Sequence, residues 1–350
     1  MNDLPGSAGP DDERMRRLLN EAVSDVEPRP SLEVIRSRTT SSAGRRPWIW
    51  GVGAAVVATA ATITAVTVIS GTTGTTGAPA PGFADESSTA VLGAELPVYY
   101  VGDTGRGPRL FREFHPVEFQ QGASEAGLAA REAGLAAERA VNTADPDPSG
   151  GTIPGPLDPD YRTDWPAGTH ATVSSSAGVI TVDLTGATGL QDRPLAMTAA
   201  EAELAIEQVI YSVQATLQTR DPVIFQHEGK PTDTVLGVPT SEPLSEGDPS
   251  EVLAQVWIIE PAEGAQLLSG FEVTGLANAF EANVQWELMR GDRVVKEGFT
   301  TAEECCTMSP YSFKVTAPPG DYTLVVHDSD PSGGEGFPPW QDTKNITILN

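Results

Sequence analysis

At 350 residues the chain exceeds one ordinary core and reads as two domains plus connectors. A formal net charge of −26 excludes nucleic acid as a partner, because phosphate binding needs a Lys/Arg-rich surface. The 35 glycines and 29 prolines require long irregular connectors, while 39% hydrophobic residues leave material for packed domains.

The charge is unevenly placed. Residues 1–46 balance eight acidic against eight basic side chains, so residues 47–350 carry the whole excess, 40 acidic against 14 basic. Within 1–46, "DDERMRRLLNEAVSDVEP" places Met15, Leu18, Leu19, Ala22, Val23 and Val26 on one helical face. Asp11, Asp12 and Glu13 favour the start of that helix and Pro28 ends it. Its two readings are a partner-binding amphipathic helix and a marginal helix on a short tail.

Residues 47–70 read as a transmembrane helix. Trp48 to Ile69 is a run of 22 uncharged residues, long enough for a hydrocarbon core of about 30 Å. The run begins too far from the N-terminus for an ordinary secretory signal. Arg36, Arg38, Arg45 and Arg46 precede it, and Asp85 and Glu86 are the first charges after it. By the positive-inside rule residues 1–46 are expected in the cytoplasm and 71–350 outside, in a non-reducing compartment. Residues 71–92, rich in Gly, Thr and Pro, read as a flexible linker.

Residues 93–240 read as a small α+β domain. "ELPVYYVGD" and "RLFREFHPVEF" are strand-like, and "ASEAGLAAREAGLAAERAVN" is built of good helix formers. "THATVSS" and "VITVDLTG" flank Ser176-Ala177-Gly178 as a hairpin. Thr198 and Glu201 form a capping-box pattern ahead of an amphipathic helix, and "DPVIFQHEGK" closes as a strand. The order β-β-α-β-β-α-β predicts helices packed on one sheet.

After a polar linker at 241–252, residues 253–350 show seven short alternating strands, the pattern of an all-β sandwich. The expected inward sets are Phe271/Val273, Val284/Trp286/Leu288, Tyr311/Phe313/Val315, Tyr322/Leu324/Val326 and Ile346/Ile348, with Trp286 as the central core indole.

Two resemblances follow from these residues. The blocks "LPVYYVGD", "RLFREFHPV", "DPDYRTDWPAGT", "GVITVDLTG" and "PVIFQHEGK" resemble the GerMN domain over about 95–240. Pro261, Gly275, Ala277, Phe280, Glu281, Val284, Trp286 and Gly298 resemble the immunoglobulin-like domain of bacterial spore germination, over about 253–349. The first resemblance implies an extracytoplasmic assembly or binding module without established catalytic residues. The second implies architecture alone.

Candidate chemistry is sparse. His115, His170, His227 and His327 lie at least 55 residues apart, without zinc spacing, and read as structural or surface histidines. Ser174-Ser175-Ser176 reads as part of a hairpin, and no nucleophile or nucleotide-binding motif occurs, so neither an enzyme nor a cofactor is expected. "DPDPSGG" (145–151) and "DSDPSGG" (328–334) open like calcium loops, but Pro156 and Pro339 stand where the final carboxylate belongs. Tyr99, Tyr100, Trp165, Phe337 and Trp340 are candidates for binding wall polysaccharide. Cys305 and Cys306, the only cysteines, are neighbours. A vicinal disulfide stiffening one loop is expected, with intermolecular bridging as the alternative.

These readings converge on a non-enzymatic, membrane-anchored envelope protein that binds a protein partner or self-assembles. The alternatives are a transmembrane sensor or anti-sigma-like regulator, and a peptidoglycan or wall-polysaccharide binder.

Overall fold

The computed structural model describes residues 91–120, 125–142, 155–329 and 336–350. Residues 1–46, expected in the cytoplasm, the expected span Trp48–Ile69 and residues 71–90 of the expected linker lie outside the described residues. Among the described residues no helix is long and apolar enough to cross a membrane.

The first module opens with a long antiparallel hairpin of β1 (Val91–Thr104) and β2 (Gly107–Gln120), with Val91 opposite Gln120. Thr104 closes its turn, Oγ1 donating to Gly107 O at 2.6 Å and accepting from Arg106 N at 3.1 Å. Residues 96–102 are buried without a break, so both faces of β1 are covered. Strict alternation is therefore missing from "LPVYYV".

Helix α1 (Glu125–Val141) buries Ala133, Ala136, Ala137 and Ala140, and these small side chains let it lie close to its neighbours. After β3 (Tyr161–Arg162), strands β4 (Thr169–Ser176) and β5 (Val179–Gly186) form the expected hairpin. Ala177 and Gly178 make its two-residue turn at φ +54° and +76°, the primed geometry that suits a twisted hairpin. Helix α2 (Ala199–Leu217) starts at a complete capping box, with Thr198 N donating to Glu201 Oε2 and Glu201 N to Thr198 Oγ1. It leads to β6 (Val223–His227), parallel to β5, then β7 (Lys230–Pro231) and the small ribbon of β8 (Thr234–Val235) and β9 (Val238–Pro239).

Where one sheet was expected, the strands divide into β2-β1-β3 and β4-β5-β6-β7. Helix α1 touches both β1 and β4, so helix packing joins the two sheets where backbone hydrogen bonds do not. Residues 241–252, expected as a linker, run along the first module. Leu244 exchanges two backbone hydrogen bonds with Val223, and Gly247 N donates to Glu207 Oε2. The stretch ends in a single turn of helix, α3 (Pro249–Val252), capped by Asp248.

The second module is a two-sheet sandwich. Its strands are β10 (Val256–Glu260), β11 (Gln266–Leu267), β12 (Phe271–Ala277), β13 (Asn283–Arg290), β14 (Arg293–Thr301), β15 (Ser309–Val315), β16 (Gly320–Asp328) and β17 (Gln341–Ile348). One sheet runs β10-β12-β15 and the other β11-β17-β16-β13-β14. The inward sets fill the core between them, with Phe313 only partly buried. Trp286 stacks on Phe313 at 5.0 Å and lies opposite Gly298 on β14. A Cβ at Gly298 would stand 2.5 Å from Trp286 Cζ2, so the indole occupies the space a side chain would need. Gly275 is equally constrained, since a Cβ there would lie 2.2 Å from both Trp257 O and Tyr311 Oη.

Replacing Gly298 by Val is therefore expected to destabilise the protein by about 1–3 kcal/mol through overpacking. Urea denaturation reads this as a lowered midpoint at unchanged slope, and an unchanged midpoint would contradict the contact.

Candidate functional site

The outer face of the β10-β12-β15 sheet is covered by the first module. Val256 and Ile258 point into the sandwich, while Trp257 between them points outward and belongs to the core of the first module with Leu276 and Leu253. Its ring meets Tyr99 edge-on at 6.5 Å, and Tyr99 packs against Tyr211 of α2 at 5.4 Å. Ala254 N donates to Leu110 O at 3.0 Å, continuing the junction along β2. At the hairpin tip, Arg106 lies 4.8 Å from the Trp340 ring centre and donates to Pro338 O.

A buried polar chain crosses the same junction. On β2 the Glu113 carboxylate accepts from Leu157 N and Asp158 N and lies 3.1 Å from His115 Nε2, which fixes the loop before β3. Asp158 on that loop pairs with Lys344 of β17. Lys344 Nζ donates to Tyr161 Oη at 3.0 Å, and Tyr161 Oη donates to Asp342 Oδ1 at 2.7 Å. Asp342 Oδ2 accepts from Ile258 N at 2.6 Å, which returns the chain to β10.

One buried ammonium thus faces two buried carboxylates. Burial pushes Asp158 up to about 6 against the attraction of Lys344. Burial likewise raises Asp342. For Lys344 burial alone would lower the ammonium, but Asp342 and Asp158 outweigh it and the net shift is upward.

Beside this junction lies a cleft of about 520 Å³ built by both modules. Its apolar lining comes from Leu96 and Tyr99 of β1, Phe114 of β2, Trp257 of β10 and Leu276 of β12. The C-terminal turn of α2, the segment 248–253 and the β14–β15 loop form its walls, the last through Cys306, Thr307 and Met308. Arg112 of β2 also lines it, only 7% exposed.

The structure redistributes the residues singled out from sequence. Cys305 and Cys306 lie in the β14–β15 loop as exposed thiols with their Sγ atoms 3.1 Å apart, and Cys306 takes φ +65° at the cleft wall. Of the five aromatics considered for polysaccharide, Tyr99, Tyr100, Trp165 and Trp340 are buried and only Phe337 is exposed, at 72%. Trp165 Nε1 donates to Ala205 O of α2, and Tyr99 and Trp340 pack at the junction, Tyr99 also lining the cleft. They form no surface platform.

The four histidines stay apart, each with its own partner: Glu113 for His115, Glu138 for His170, Gln191 for His227 and the Asp328 carbonyl for His327. The loop at 145–151 and most of that at 328–334 lie outside the described residues.

Sequence reasoning missed Trp257, Arg112, Asp342 and Lys344. A signal for the last two was present. The apolar phase of Ile346 and Ile348, continued back by twos along "QDTKNITI", lands on Lys344 and Asp342, charges at core-facing positions.

Residues 97–233 match a family model described as sporulation and spore germination. Residues 255–335 match one described as the immunoglobulin-like domain of bacterial spore germination. The chain therefore carries two germination-related modules in that order. No curated protein matches it. Among solved structures, an engineered protein is similar at 16% identity over 42% of this chain and 36% of its own length, with a TM-score of 0.21. WR4, a C. elegans MSP family member, is similar at 10% identity over 27% of this chain and 99% of its own, with a TM-score of 0.17. The match thus spans little more than a third of the engineered protein.

Two outcomes follow for the junction and the loop. Asp158 has a folded value near 6, above its ordinary 3.8. The stability it contributes is therefore complete below about pH 4 and lost as pH rises through about 6, on the order of 3 kcal/mol. Urea midpoints should fall more steeply from pH 5 to 7 in the native protein than in Asp158→Asn, and equal slopes would contradict this. Intact mass of the protein purified without reductant, compared before and after reduction, reads the state of Cys305 and Cys306. A gain of about 2 Da on reduction marks the vicinal disulfide, halving of the mass marks intermolecular bridging, and no change contradicts both.

Proposed function

We propose that this protein is a non-enzymatic, membrane-anchored binding or assembly protein of the bacterial cell envelope. In this reading Trp48–Ile69 is the anchor, residues 1–46 are cytoplasmic, and both germination-related modules stand outside the membrane. The observation that carries the binding role is the cleft shared by the two modules. An apolar recess of about 520 Å³ at a domain junction, walled by side chains from both sides, is a common setting for a ligand site. The match of both modules to germination-related families supports the envelope setting.

Photo-crosslinking side chains placed at Thr219 and Thr307, both lining the cleft, test this in whole cells. They are expected to capture one discrete envelope component that the same group at Leu195, an exposed position outside the cleft, does not. Equal capture at all three positions, or none at any, would overturn the binding role of the cleft.

A further inference from the structure

We propose that the inter-module cleft binds a small ligand with an apolar body and a single carboxylate, which Arg112 receives. The proposal rests on the binding role just given to the cleft and names its ligand chemistry.

Arg112 is a cation sealed into the junction. Its guanidinium lies over the rings of Phe114 at 5.0 Å and Trp257 at 5.7 Å. No carboxylate among the described residues comes within ion-pair distance of it, and its Nε has no hydrogen-bond partner. The Trp257 Nε1 proton, in the same cleft, is also without an acceptor. A buried guanidinium without a counter-ion is costly. Stacking over aromatic rings occupies its π face and leaves the N–H edge, which fits a planar carboxylate in bidentate fashion. Both unpartnered groups are donors, so the ligand must bring an acceptor.

Several of the other polar side chains on the walls are already engaged. Gln255 Nε2 donates to Leu253 O at 2.8 Å, and Gln255 Oε1 accepts from Asn278 Nδ2 at 2.8 Å. Gln214 Nε2 donates to Glu246 Oε2 at 3.0 Å, Arg220 pairs with the same carboxylate, and Asp248 caps α3. A peptide would need several backbone partners along the cleft, and Gln255, Gln214, Arg220 and Asp248 are not free to supply them. Glu95 and Glu132 also line the cleft, outside ion-pair distance of Arg112, and would disfavour a ligand with a second negative charge. The volume lies within the range of sites for small molecules.

The test is calorimetric titration of the full chain with 6-phenylhexanoate and with 6-phenylhexan-1-ol, which shares its apolar body. The acid is expected to bind one per chain, at least about tenfold tighter than the alcohol. Arg112→Gln should abolish that preference, and Arg112→Lys should keep part of it. Should Arg112→Gln fail to fold, the acid-to-alcohol ratio on the native protein still decides. Equal affinity for both compounds, no binding of either, or a folded Arg112→Gln with the preference intact overturns the proposal. Rim crosslinks that still capture an envelope component while neither compound binds would sink the carboxylate and leave the binding role standing.

Discussion

Lys344 holds its ammonium against Tyr161 and the carboxylates of Asp158 and Asp342, all removed from water. Two of those partners come from the first module and two of the four residues sit on β17 of the sandwich. The arrangement is satisfied only when the modules are docked. Separated, each half would be left with buried charge lacking its counterpart or would have to rehydrate it. Such a network specifies one docking geometry more than it adds stability, because desolvation offsets much of the attraction. The apolar contribution comes from Trp257, whose ring leaves its own sandwich to complete the core of the other module.

That geometry is what gives the cleft fixed walls. Leu96, Tyr99, Arg112 and Phe114 come from the hairpin of the first module, Trp257 and Leu276 from the sandwich, and segment 248–253 from the chain that joins them. No single module contains the site. The segment read as a linker behaves accordingly: Leu244 and Gly247 bind it to the first module, and Asp248 and Pro249 start a helical turn where it enters the wall. A junction held by polar specificity and an aromatic anchor keeps the walls of the cleft in one arrangement, the preorganisation that the proposed binding role calls for.

Local structure was largely legible in the sequence because local physics decides it. The capping box at Thr198, the turn at Ala177-Gly178 and the alternating strands of the sandwich are all set by neighbours a few residues away. The constraint on Gly298 was legible only as part of a family pattern, and the structure supplies its cause in the Trp286 ring. What sequence could not deliver depends on which faces meet. Val256, Trp257 and Ile258 are all apolar, and nothing local says that the middle one serves another core. Tyr99 and Trp340 could be weighed as polysaccharide candidates or as core for the same reason, since their cover lies in a different module or element. Arg112 stands between Phe111 and Glu113 on β2 and gains its character only when Trp257 lies beside it.

The buried junction makes the two modules one structural body. Differential scanning calorimetry of the protein distinguishes one body from two. A single cooperative transition is expected, with calorimetric and van't Hoff enthalpies in agreement. Two separable transitions, one for each module, would contradict it.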